Sequence, residues 1–132
     1  MKVKGIIIHC SDSPQGRGDS AEDIHAWHTK RGFSGIGYHY IILEDGMIEK
    51  GRPDYWDGAH AKGYNHTHLG ICMIGKNSFT PEQYYSLKDL VSSKVLEYNI
   101  SKENVIGHYA VSEKSCPNFD VTEWREEKIN LL

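Results

Sequence analysis

Three residues far apart in the chain are of the types, and in the places, that hold a metal ion: His9, His108 and Cys116. Imidazole is the commonest metal ligand in proteins, and a cysteine thiolate joins it readily around zinc. His9 closes the apolar run Ile6-Ile7-Ile8, and His108 follows the short stretch Val105-Ile106-Gly107. Each therefore ends a predicted strand and opens a polar loop, where sheet proteins usually present ligands. If those strands are neighbours, the two imidazoles emerge side by side. Cys116, eight residues beyond His108 on a loop pinned by Pro117, then completes a third corner. Two imidazoles and one thiolate leave a tetrahedral zinc ion one open position, which is the arrangement of catalytic rather than structural sites. Zinc lowers the pKa of a water in that position towards about 7 and polarises a carbonyl placed against it. Both effects assist amide hydrolysis.

Other groupings compete. His25 and His28 stand three apart on a predicted helix, and His66 and His68 stand two apart near a predicted strand, so each pair has residues that share a face. Neither has a third ligand at an evident strand end. Three cysteines cannot all pair within one chain, so at least one is free. Cys10 and Cys72 lie in or beside apolar strands and read as buried small hydrophobes.

The elements that must position these residues follow from hydrophobic period and breakers. Val3 to His9 reads as a strand that ends at His9 and runs into the loop 11–19 with Pro14, Gly16 and Gly18. Ser20 or Asp19 caps a helix over about 20–31. Tyr38 to Leu43 and Met47 to Lys50 flank Glu44-Asp45-Gly46 as a hairpin. The stretch 51–68, poor in aliphatics and rich in aromatics and histidine, reads as a long functional loop. Leu69 to Ile74 is a buried strand. Thr80-Pro81-Glu82-Gln83 starts a helix that runs to about Tyr98. Asn104 to Gly107 is the last strand, and a final helix holds Trp124.

The order β α β β β α β α implies an α/β fold: one domain over 1–132, with a central mixed sheet of about five strands flanked by about three helices. With 132 residues, 39% of them apolar and 25% charged, the chain is long enough to bury a core unaided. A net charge of −3, with both signs mixed along the chain, supplies no basic face for nucleic acid. The longest N-terminal apolar run is too short for a signal peptide or a membrane span. Synthesis in the cytoplasm, no membrane insertion and a monomer are the expectations.

Six segments in order are familiar: Ile-Ile-His-Cys-Ser at 7–11, Gly-Tyr-His-Tyr-Ile-Ile at 37–42, Asp-Gly-Met-Ile-Glu-Lys-Gly-Arg at 45–52, Gly-Ala-His-Ala-Lys-Gly-Tyr-Asn at 58–65, Leu-Gly-Ile-Cys-Met-Ile-Gly at 69–75 and Gly-His-Tyr-Ala-Val-Ser-Glu-Lys-Ser-Cys-Pro at 107–117. In these the chain resembles the zinc-dependent N-acetylmuramoyl-L-alanine amidases of the peptidoglycan-recognition-protein superfamily, and most of all their small phage-lysozyme branch. The resemblance implies one zinc ion on His9, His108 and Cys116, a catalytic tyrosine at Tyr38 and a catalytic lysine at Lys114. Tyr38 would hydrogen-bond the attacking water or the tetrahedral intermediate, and Lys114 would set a cation beside the oxyanion. It also implies that His60, Tyr64 and Asn65 line the groove for peptidoglycan or a muropeptide.

The chain departs from some branches of the family, which carry a catalytic glutamate where it has Cys72. The expectation is a catalytic domain with no wall-binding module after it, so that targeting comes from the groove. The resemblance implies an endolysin-like hydrolase that degrades bacterial cell wall after release from the cell. The alternative is a recognition domain that binds muropeptides without cutting them; such relatives usually lack the cysteine ligand, which this chain keeps. A third role, binding a protein partner, has no sequence feature to mark it.

Overall fold

The segment Gly5–Cys10, strand β1, is buried at every position, which is the signature of a central strand covered on both faces. Ile6, Ile7 and Ile8 have no exposed surface, and removing one such side chain costs about 2–5 kcal/mol. In the computed structural model, which describes residues 1–129, β1 pairs in parallel with strand β4, His68–Met73, on one side and with strand β5, Val105–Gly107, on the other. The last three residues of the expected 1–132 domain lie outside the described residues.

Strands β2, Tyr40–Ile42, and β3, Ile48–Lys50, form the expected hairpin, and β2 lies parallel to β4. The sheet order is β3-β2-β4-β1-β5, mixed and five-stranded. Helix α1, Ala21–Lys30, covers one face; helices α2, Pro81–Tyr98, and α3, Val121–Lys128, cover the other.

The period of two along each strand sorts the two faces. Ile6, Ile8, Leu69, Ile71 and Met73 pack with Leu87, Val91 and Val95 of α2 and Trp124 of α3. Ile41, Cys72 and Ile74 pack with Ile24 of α1 on the opposite face. The start of α2 is held by a reciprocal cap: Gln83 N–H donates to Thr80 Oγ1 (3.1 Å) and Thr80 N–H to Gln83 Oε1 (3.0 Å). The Gln83 amide also donates to the carbonyls of Ile42 (3.2 Å) and Ile74 (2.8 Å), tying α2 to the ends of β2 and β4.

Element types and order agree with the sequence reading, and several ends move. β1 runs one residue past His9, because Cys10 still pairs with Met73. Val3 precedes the strand. Tyr38, expected to start a strand, sits two residues before β2. The backbone there is diverted to α1: Ile36 N–H donates to His25 Nδ1 (3.1 Å) and Gly37 N–H to His28 Nδ1 (2.9 Å). Gly37 passes so close to the Ala59 carbonyl that a side chain at 37 would collide with it. These contacts fix where Tyr38 emerges.

Candidate metal centre

β1 and β5 deliver two of the three donors. Their register sets Ile8 opposite Gly107, so His9 and His108 leave the sheet as neighbours, with ring centroids 4.3 Å apart. The third arrives by a loop. Tyr109 N–H donates to the Cys116 carbonyl (2.9 Å), which folds the chain back onto the end of β1, and there Cys10 N–H donates to Cys116 Sγ (2.9 Å). The donor atoms of His9, His108 and Cys116 all lie within 4.8 Å of one another, a candidate site for one metal ion. Among the described residues no other cluster of three His, Cys, Asp or Glu donors is so close.

Electrostatics favour the ligand forms of the imidazoles. Burial, then His60, His108 and Lys114, hold His9 well below its ordinary range; burial and Lys114 lower His108. Both are therefore neutral and keep a lone pair for a cation. The Cys116 thiol is pushed up by its hydrogen bond with Cys10 and by burial. Two sulfurs this close resist sharing a negative charge, so Cys116 gives up its proton most readily to a positive partner. The Cys10 N–H aimed at its sulfur stabilises the thiolate that results.

The centre opens into a groove of about 820 Å³. Tyr38 lies on its wall, its ring 5.0 Å from that of His9. Burial, then the nearby Cys72, Cys116 and Cys10, raise Tyr38 well above its ordinary range, so it keeps its proton and remains a donor. Cys72, wholly buried where some family branches carry glutamate, is within hydrogen-bonding reach of the Tyr38 hydroxyl. Lys114 lines the opposite loop.

His60 and Asn65 also line the groove, but both are engaged internally. Asn65 Oδ1 accepts from the backbone N–H of His60 (2.8 Å) and of Ala61 (3.0 Å). Tyr64, expected beside them, is not among the lining residues; its ring packs edge-on to His68 at 5.2 Å. The Tyr64 backbone is held in a turn, its N–H donating to the Ala61 carbonyl (3.0 Å).

Neither competing histidine pair converges on a third ligand. His25 and His28 accept backbone hydrogen bonds, and His66 pairs with Asp57 at 2.5 Å on the exposed side of the loop. Sequence reasoning missed Cys10 as a neighbour of Cys116, and it missed Trp27, Arg31 and Lys62 as groove residues. No spacing signal could have found them, because they meet only through the packing of α1 and the loops over the sheet.

Comparison with known proteins agrees with this fold and site. Residues 1–119 match the family model described as N-acetylmuramoyl-L-alanine amidase, and the chain belongs to that family of cell-wall amidases. Among individual relatives, the endolysin of Enterobacteria phage T3 is 36% identical over 133 residues, covering 95% of this chain and 87% of the endolysin. The solved N-acetylmuramoyl-L-alanine amidase LysC from Clostridium intestinale URNW superposes with a TM-score of 0.87 at 32% identity, covering 96% of this chain and 85% of LysC. Peptidoglycan recognition protein-LE, solved in complex with tracheal cytotoxin, a monomeric diaminopimelic acid-type peptidoglycan, gives a TM-score of 0.79 at 25% identity over 96% of this chain and 81% of that one.

Proposed function

We propose that this amidase hydrolyses the bond between N-acetylmuramic acid and the L-alanine of the peptidoglycan stem, using one zinc ion held by His9, His108 and Cys116. The observation that carries the reading is the convergence of those three donors at the floor of an open groove. They fit zinc by chemistry: two neutral imidazoles and one thiolate, three protein ligands rather than four. Bound there, zinc would act as a Lewis acid on the scissile carbonyl and would ease deprotonation of water.

The chain's own residues do the rest. Tyr38, held protonated by burial, donates a hydrogen bond to the oxygen on which negative charge develops. Lys114, on the loop across the groove, adds a cation close enough to depress both ligand histidines. With Cys72 in place of a carboxylate, no acidic base stands at that strand position, and the tyrosine and lysine carry the polar work. Arg31, Lys62 and Asn65 line the groove that would take the glycan-linked peptide. Among the described residues no helix is long and apolar enough to cross a membrane, and we read the protein as acting on the wall after release.

The test is to incubate zinc-loaded protein with purified sacculi and measure newly exposed N-terminal alanine, with His9→Ala alongside. Release by the wild type and none by the variant is expected. A wild type that carries zinc, binds muropeptide and releases nothing would overturn the enzymatic reading in favour of recognition.

A further inference from the structure

His60 stands outside the donor trio, yet its ring is more tightly held than a substrate contact requires. Both ring nitrogens are engaged: Nε2 lies 2.9 Å from the backbone carbonyl of His68, at the start of β4, and Nδ1 lies 2.8 Å from Nε2 of His9. The ring fills a slot with no room to turn. A side-chain carbon at Gly70 would come within 2.7 Å of it, and one at Gly58 would collide with it outright. Asn65 clamps the backbone beneath, accepting from the N–H groups of His60 and Ala61. The rings of His60 and His9 stand edge to face at 84°, with His60 Nδ1 against His9 Nε2.

The direction of the protons follows from the end of this chain. A carbonyl only accepts, so His60 Nε2 must carry hydrogen. A second proton would make His60 a cation wedged against His9, and burial disfavours it. His60 Nδ1 is then an acceptor, and His9 Nε2 must carry the hydrogen that fills it. His9 is left with its lone pair on Nδ1.

We propose that His60 is a positioning residue: by accepting from His9 Nε2–H it holds His9 in the tautomer, and at the ring angle, that presents Nδ1 to the metal. Resting on the reading of His9 as a metal donor, the proposal gives the Gly58–Asn65 segment a task apart from substrate contact. The His68 carbonyl anchors the far end, so the ligand on β1 is oriented by a backbone group of the strand beside it. Outer partners of this kind typically change metal affinity by about 10–100-fold.

Two measurements test it. The first is long-range ¹H–¹⁵N correlation NMR of the metal-free, uniformly labelled protein. His9 is expected as the Nε2–H tautomer in wild type and in His60→Asn, whose carboxamide oxygen can stand in for Nδ1, and as a mixture in His60→Ala. The second is zinc affinity by competition with a chromophoric chelator. His60→Ala is expected to weaken binding by about 10–100-fold and His60→Asn by only a few-fold. A wild-type His9 protonated on Nδ1, or a folded His60→Ala with unchanged tautomer and affinity, overturns the proposal. So does a His60→Asn that folds but behaves like His60→Ala. If His60→Ala does not fold, the wild-type spectrum and the asparagine variant still decide. Failure of the metal reading itself would look different: His9→Ala would bind zinc as tightly as wild type, whatever the tautomer.

Discussion

Two polar clusters lie on opposite faces of the same sheet, and they are built on contrary principles. Behind β2, Asp54 is surrounded by donors: Tyr40 Oη at 2.6 Å, Tyr98 Oη at 2.7 Å, Lys94 Nζ at 2.9 Å and Lys50 Nζ at 3.3 Å. Burial would raise its pKa, but hydrogen bonds from Tyr40, Lys94 and Tyr98 outweigh this and hold the carboxyl far below its usual range. Positive and negative charge cancel within the cluster. At the end of β1 nothing cancels. His60, His108 and Lys114 depress the protonation of His9, His108 depresses that of His60, Lys114 depresses that of His108, and Cys10 and Cys116 contest one proton. A cluster closed on itself stabilises the fold, whereas one that gathers the lone pairs of two imidazoles and a thiol is suited to bind a metal ion.

The largest effect that would sharpen this contrast is metal-linked stability. At zinc about a thousandfold above its Kd, linkage adds about 4 kcal/mol, a rise in Tm on the order of 10 °C for a domain of this size. Scanning calorimetry with and without zinc should show the rise in wild type and Asp54→Asn alike, but not in Cys116→Ser. An equal rise in Cys116→Ser would break the comparison.

Next in size is Tyr38→Phe, which should lower kcat by about 10²–10³-fold while leaving zinc affinity unchanged. Steady-state assay on sacculi, paired with chelator competition, separates the two quantities. Asp54→Asn should do the reverse: a stability loss of about 2–3 kcal/mol in urea, because the negative charge that pairs with Lys94 is lost and one of the two oxygens that accept from Lys94 and the tyrosine hydroxyls becomes a donor, with kcat nearly intact.

Acid should separate the clusters by pH. His39, wholly buried and lowered chiefly by burial, and His60, pushed down to about 3 by burial with His39 and His108 adding to it, take up protons more readily unfolded than folded. Their contribution is complete above about pH 6.5 and is lost as pH falls from there towards the folded values. Asp54, with its depressed folded pKa, contributes fully only above the unfolded value of about 3.9 and loses that contribution at lower pH. Urea unfolding of metal-free protein should therefore weaken in two stages on acidification. Asp54→Asn should lack only the lower stage. In zinc-loaded protein, metal release and activity loss should coincide on the same acid limb, since protons compete for the same lone pairs.

The smallest expected effect is Thr80→Ala, which removes half of the α2 cap and should cost about 1 kcal/mol in urea unfolding with both clusters undisturbed.

Much of the candidate metal centre is legible in the sequence. His9 and His108 stand out because each ends an apolar run and opens a polar loop, where sheet proteins usually present ligands, and Cys116 lies eight residues beyond His108 on a loop pinned by Pro117, from which it can complete a third corner. Tyr38 and Lys114 were legible only through resemblance; as bare sequence they are a strand-flanking aromatic and a loop charge. For the expected groove contacts the structure adds the direction of each side chain. Tyr64 points to His68, and Asn65 spends its oxygen on the backbone, because a motif shows which residues cluster in a loop and not which way each side chain leaves it.

Local chemistry alone determined the elements and their kinds: continuous isoleucine for a covered strand, Thr-Pro-Glu-Gln for a helix start, Glu-Asp-Gly for the hairpin. Those signals act within a few residues, so the sequence carries them openly. Only the tertiary structure decided that β1 lies between β4 and β5, that Cys10 meets Cys116 and that His60 Nδ1 faces His9 Nε2. Such contacts join residues 51 and 106 positions apart. Their geometry is set by sheet register and loop closure, which no short stretch of chain encodes by itself.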